Sequence, residues 1–148
     1  MSHTAKSSRR IITYTWGDFD VDVRHLAQAL SYHLESFDNI YAIPRGGLIL
    51  GVALSHALGI KLTTKDNITS RTLIVDEISD SGCTLKKLMK DYGFPKGHNP
   101  FIVTLHAKLD SEYLPDLYCR EVINDDWISY PWEQEKLTKK CHGKNTVC

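Results

Sequence analysis

The sequence predicts an α/β fold: a single domain with a central, mostly parallel sheet flanked by helices. Three observations carry that expectation. The apolar runs "NIYAIP", "TLIV" and "FIVTLHA" have the length and character of buried strands, and helix-length segments separate them. Strands and helices in that order give parallel neighbours joined by right-handed crossovers. A chain of 148 residues also supports one sizeable core, without room for a second full domain.

The elements follow in order. Asp18 is placed to cap a helix whose apolar positions Phe19, Val23, Leu26, Ala27, Leu30 and Leu34 recur at helical spacing. "NIYAIP" is the first buried strand, stopped by Pro44. Residues 48–58 are apolar nearly all round and end at Gly59, as expected of a helix packed against a sheet. A short strand is predicted at 60–63, "TLIV" forms the next, and a helix is expected over 84–92. "FIVTLHA" and then "LYCREVI" supply two more strands. The domain is expected over 1–135, with 1–12 a tail, and 136–148 form a polar C-terminal tail.

Composition excludes several classes. Lys plus Arg and Asp plus Glu number 18 each, so no broad electrostatic footprint for nucleic acid is expected. The longest apolar run contains Gly51, Ser55 and His56 and falls short of a bilayer span. "MSHTAKSSRR" has no apolar stretch behind its charges and does not read as a secretory signal. Cys83, Cys119, Cys141 and Cys148 show no close pairing and read as reduced thiols, which together with the missing signal implies a cytoplasmic protein. In "CHGKNTVC", Cys141, His142 and Cys148 offer soft ligands without a fourth, so that end reads as tail rather than metal site.

The chemistry concentrates in "RTLIVDEISDSGCTL". Ligands of parallel sheets bind beyond the carboxyl ends of the strands. There this strand delivers Asp76 and Glu77, then Asp80, Ser81, Gly82, Cys83 and Thr84 at the start of a helix. The small polar residues and helix N–H groups suit a phosphate. Adjacent acids would repel that phosphate and suit sugar hydroxyls or a divalent cation instead. A capped turn with solvated acids is the bland alternative. "IYAIPRGGL" supplies a second strand-loop-helix passage, where Arg45, Gly46 and Gly47 offer a cation and exposed backbone N–H groups to another anion. A ligand with phosphate at one end, pyrophosphate at the other and a diol between would occupy both.

"VDEISDSGCT" resembles the phosphoribosyl pyrophosphate signature of the type I phosphoribosyltransferases, and "PRGG" resembles their pyrophosphate loop. With "TWGDF", "AKLDS" and "DDWISYPWE" in the same order, the likeness spans most of residues 14–133 and is strongest to the bacterial xanthine-guanine members. It implies transfer of the phosphoribosyl group from phosphoribosyl pyrophosphate to a 6-oxopurine (guanine, xanthine or hypoxanthine), with Mg2+ as cofactor and a homo-oligomeric assembly. By position it assigns Asp76 and Glu77 to the ribose hydroxyls and the metal. Asp80, Ser81, Gly82, Cys83 and Thr84 take the 5′-phosphate, and Arg45, Gly46 and Gly47 line the pyrophosphate, with the Pro44–Arg45 peptide cis. Asp80 is also implied as general base toward the purine, Lys108 as donor to its 6-oxo group, Trp127 as the stacking aromatic and Ile128 as a backbone contact. Trp132 reads as core packing.

Departures from the pattern keep other readings open. Glu77 stands where Asp is usual, and Cys83 where glycine is frequent. Relatives carry a long covering segment where this chain has only "KLTTKDNITS", residues 61–70. A regulatory protein that binds phosphoribosyl pyrophosphate or a nucleotide without turnover, or a transferase for another base, remains an alternative.

Overall fold

The computed structural model describes residues 9–133. Its elements are β1 (Ile11–Thr13), α1 (Trp16–Ser31), β2 (Asn39–Ala42), α2 (Gly47–Leu58), β3 (Thr72–Ser79), α3 (Cys83–Tyr92), β4 (Phe101–Lys108), β5 (Leu117–Val122) and β6 (Trp127–Ser129), with single 3-10 turns at Leu34–Ser36 and Lys65–Asn67. The main sheet has the order β2-β3-β4-β5 with every pairing parallel, and β1 pairs with β6 in a separate parallel ribbon. No helix among the described residues is long and apolar enough to cross a membrane.

Side-chain alternation along the strands divides the apolar residues between two faces. Ile40, Leu73, Val75, Val103 and Leu105 join Leu26, Leu30, Leu50 and Leu54 in one core. Tyr41, Ile74 and Ile102 meet Leu85, Leu88 and Met89 in the other. Thus α1 and α2 cover one face and α3 the opposite one. Buried Asp22 helps to hold α1 in place: it accepts from the Tyr14 hydroxyl at 2.7 Å and from Arg120 on β5 at 2.8 Å.

Several expected details shift. Thr15, not Asp18, caps α1; Asp18 sits three residues further on and completes a capping box with it. Leu34 falls beyond the helix, in the 3-10 turn. The strand expected at 60–63 is reduced to a single bridge between Ile40 and Leu62. Ile11 and Ile12, expected in the N-terminal tail, are tied into β1 by pairing with Trp127 and Ile128. Most consequential, β3 continues through the acids to Ser79, because β4 runs alongside and pairs as far as Ala107. The alternation slips by one residue across Asp76 and Glu77, since Val75 and Ile78 both pack on the first core. Residues 1–8 and the C-terminal tail, including Lys139, Cys141, His142 and Cys148, lie outside the described residues.

Candidate functional site

The loop after β2 is seated on β3 by main-chain bonds. Ile43 N–H donates to Val75 O at 2.8 Å, and Gly47 N–H donates back to Ile43 O at 2.9 Å. The Pro44–Arg45 peptide between them is cis. Close approach demands glycine at 47, which faces backbone, while Gly46 faces the movable end of the Glu77 side chain. A Cβ on Gly46 would fall 2.1 Å from the Glu77 carboxyl carbon, and one on Gly47 would fall 2.6 Å from Val75 O. Gly47 therefore serves the packing of α2 on β3, and its N–H is already used within the loop.

Gly82 has a similar explanation, different from the one its sequence context suggests. It caps α3 with φ 85°, a conformation that favours glycine. A Cβ there would meet Tyr113 N at 2.4 Å and Ser111 Oγ at 2.5 Å. Those residues belong to the helix-free connection from β4 back to β5, which crosses beneath the loop. The Ser79 hydroxyl donates to Tyr113 O at 2.7 Å, and Glu112 N–H donates to Ser81 O at 2.8 Å. The loop between β3 and α3 is thereby braced from below, with Gly82 at the contact. Ser81 Oγ accepts from Cys83 N–H at 3.2 Å, which shapes the first turn of the helix.

These two loops enclose a cavity of about 270 Å³ lined by Pro44, Arg45, Gly46, Asp76, Glu77, Asp80, Ser81, Gly82 and Thr84. Cys83 faces instead a larger groove of about 780 Å³ along α3, edged by Lys65, Lys86, Lys87 and Lys90. The carboxylates carry the electrostatic signature of the cavity. Burial pushes Asp76 up to about 7, against the lowering effect of the Glu77 N–H that it accepts at 2.8 Å. Burial also raises Glu77, partly offset by the Trp132 indole N–H, which donates to its Oε2 at 2.9 Å. Two acids held this way gain from a cation or from hydroxyl donors.

Beyond the cavity, Lys108 at the end of β4 comes within 4.0 Å of the Asp80 carboxylate and 3.3 Å of Asp125 in the turn before β6. The hydrogen bond to Asp125 keeps its ammonium above the usual lysine range. Trp127 opens β6 and is 47% exposed, so it does not serve the core; the Arg9 guanidinium lies 4.9 Å from its ring centroid. The Ile128 side chain is buried in the first core, which leaves only its backbone for a ligand.

No family model matches the sequence. The chain is 29% identical over 141 residues to xanthine-guanine phosphoribosyltransferase of Chromohalobacter salexigens, covering 82% of this chain and 83% of that protein. The same enzyme of Gluconobacter oxydans is 29% identical over 149 residues, covering 84% and 86%. Among solved structures, a purine phosphoribosyltransferase from Pyrococcus horikoshii superposes with TM-score 0.70 and 28% identity, covering 88% of this chain and 99% of that one. The fold is that of the type I phosphoribosyltransferases. The motif resemblance to the xanthine-guanine members holds across most of the chain.

Within that phosphoribosyltransferase fold, no group of three or more His, Cys, Asp or Glu among the described residues could hold a metal alone. Asp76 and Glu77 nevertheless fit a hard divalent cation, since Mg2+ is commonly bound by one or two carboxylates and completed by substrate oxygens. The short segment 61–70 contributes nothing to the lining of the 270 Å³ cavity. It is held along β2 by Thr63 N–H donating to Ile40 O, and on α3 by the Tyr92 hydroxyl donating to Lys65 O. Sequence reasoning missed one contact altogether. Trp132, expected only to pack, does pack on the first core but also grips Glu77. No local pattern in "YPWE" signals that contact.

Proposed function

We propose that this protein transfers the phosphoribosyl group of phosphoribosyl pyrophosphate to a 6-oxopurine, releasing pyrophosphate and forming the nucleoside monophosphate. The observation that carries the reading is a single cavity in which the 44–46 loop, the acids of β3 and the start of α3 face one another. The Lys108–Asp80 pair stands beside it. That is the layout for a ligand with an anion at each end and a diol between. Ser81, Thr84 and the α3 N-terminus hold the 5′-phosphate; Arg45 and the Gly46 backbone hold the pyrophosphate; Asp76 and Glu77 orient the ribose hydroxyls and hold Mg2+. The cation supplies charge neutralisation at the departing pyrophosphate.

As the C1–oxygen bond of the sugar breaks, positive charge grows on the ring and negative charge on the leaving group. Arg45 stabilises the latter. Lys108 donates to the purine 6-oxo oxygen, Trp127 stacks on the base, and Asp80 accepts the purine proton as the ring nitrogen attacks. The exposed Asp80 carboxylate is available for that task, with the Lys108 ammonium 4.0 Å away. The alignments to purine phosphoribosyltransferases support the same substrate class. We place the protein in the cytoplasm as a homo-oligomer.

Purified protein, Mg2+, phosphoribosyl pyrophosphate and guanine, xanthine or hypoxanthine in turn are expected to yield the corresponding nucleotide. Because segment 61–70 leaves the cavity uncovered, pyrophosphate release without purine is expected to be measurable, and turnover slower than in enzymes with a closing segment. Firm ligand binding with no nucleotide from any base would overturn the transferase reading in favour of a regulatory one.

A further inference from the structure

Trp132 lies just beyond β6 in an aromatic cluster. Its ring stacks on Tyr130 with centroids 4.8 Å apart and planes 14° from parallel, and it meets Tyr14 and Phe19 edge-on. Those contacts account for a large flat ring, and a phenyl ring would satisfy most of them. They do not account for the indole N–H, which can only donate. It donates to Glu77 Oε2 at 2.9 Å.

Glu77 is confined from two other directions. Gly46 leaves just enough room for its carboxylate, since a Cβ there would come within 2.1 Å of the carboxyl carbon. The Tyr130 hydroxyl donates to the Glu77 carbonyl at 3.3 Å and lies 2.8 Å from His106 Nδ1. Burial pushes His106 down to about 4 and so keeps it neutral. In its Nδ1–H tautomer, His106 donates to Tyr130 and leaves the Tyr130 proton for the Glu77 carbonyl, a relay that anchors the backbone of the acid while Trp132 anchors its side chain.

We propose that Trp132 is a positioning residue, whose indole N–H holds the Glu77 carboxylate over Gly46 with one oxygen turned to the cavity for the ribose and cation side of the sugar-phosphate ligand. This role rests on the function proposed above. A glutamate carries one more rotatable bond than an aspartate and samples several staggered positions when unrestrained. Restraint from Trp132 makes the longer side chain behave as a fixed acid. Without it the competent orientation is populated only part of the time, and apparent affinity falls by that fraction.

The test is Trp132→Phe in the full-length chain, which keeps the packing ring and removes the donor. The expected result is a KM for phosphoribosyl pyrophosphate raised by about tenfold. The calorimetric affinity falls in parallel, while the purine KM and saturated turnover stay within about twofold. In a Glu77→Ala background the same substitution adds nothing further. A packing role alone would lower the melting temperature and raise both KM values together; that pattern, or unchanged phosphoribosyl pyrophosphate affinity, overturns the role. Should Trp132→Phe not fold, the Trp132 indole N–H resonance decides. It moves upfield in Glu77→Ala if the bond exists, and an unmoved resonance overturns it. Wild-type protein that binds no phosphoribosyl pyrophosphate overturns the proposed function and this role together, whereas equal binding by wild type and Trp132→Phe overturns only the role.

Discussion

The two ends of the candidate site are built in different ways. The proposed sugar-phosphate end comes from two continuous segments: the loop 43–46 between β2 and α2, and 76–84, which runs from the end of β3 through a short loop into α3. Main-chain bonds seat the first on Val75 and the second on the connection from β4 to β5, and together they line a common cavity. The proposed base end draws on Asp80, on Lys108 at the close of β4, and on Trp127 and Ile128 in a three-residue strand whose only sheet partner among the described residues is β1. One end is rigid through local geometry. The other depends on side chains from separate segments meeting, with the Lys108 contacts to Asp80 and Asp125 as the bridge. Damage to the first end should therefore cost all ligand binding, whereas damage to the second should cost catalysis or base affinity and spare the sugar phosphate.

The largest effect is expected from Asp76→Asn combined with Glu77→Gln: calorimetry in Mg2+ should detect no phosphoribosyl pyrophosphate binding, while circular dichroism stays native. The glutamine amide oxygen can still accept from Trp132. The folded protein should even gain stability at neutral and higher pH. Burial raises Asp76 to about 7, well above the usual carboxyl value of about 3.9 in an unfolded chain. Between those values the folded state binds more protons than the unfolded one, so wild-type stability falls as pH rises through that window and stays depressed above it. The double variant should be more stable than wild type by about 2–4 kcal/mol near pH 8, with the gain disappearing near pH 4. Melting curves across that range check it, and retained ligand affinity would break the division between the two ends.

An intermediate effect is expected from Asp80→Asn, which removes a proton acceptor but leaves the phosphate loop in place. Turnover should fall by about 100-fold or more, with nucleotide affinity changed far less. Steady-state kinetics beside calorimetry separate the two, and equal losses would mean that Asp80 serves the loop rather than the base. The smallest effect is expected from Trp127→Ala, which should weaken purine binding by about 1–3 kcal/mol and leave phosphoribosyl pyrophosphate binding intact. Because the ring is 47% exposed, the melting temperature should hardly move. A large loss of stability with purine affinity retained would reassign Trp127 to packing.

The sequence by itself determined the order of the three helices and the four strands of the main sheet, and the two strand-loop-helix passages that line the cavity. Each is written locally: an apolar run, small or charged loop residues, then a helix start, with consequences that reach only a few residues along the chain. Local reading failed where pairing partners decide the outcome. Asp76 and Glu77 belong to a strand because β4 continues beside them, and β1 and β6 are too short to carry a pattern of their own. Only the tertiary structure decided what the glycines and Trp132 do. Gly47 meets Val75, Gly82 meets the chain returning from β4 to β5, and the Trp132 N–H meets an acid 55 residues away in sequence. Such contacts depend on which strands become neighbours and in what register, so the residues that make them look locally like ordinary turns and core. A donor at the end of a tryptophan ring acquires a partner only when the sheet delivers it.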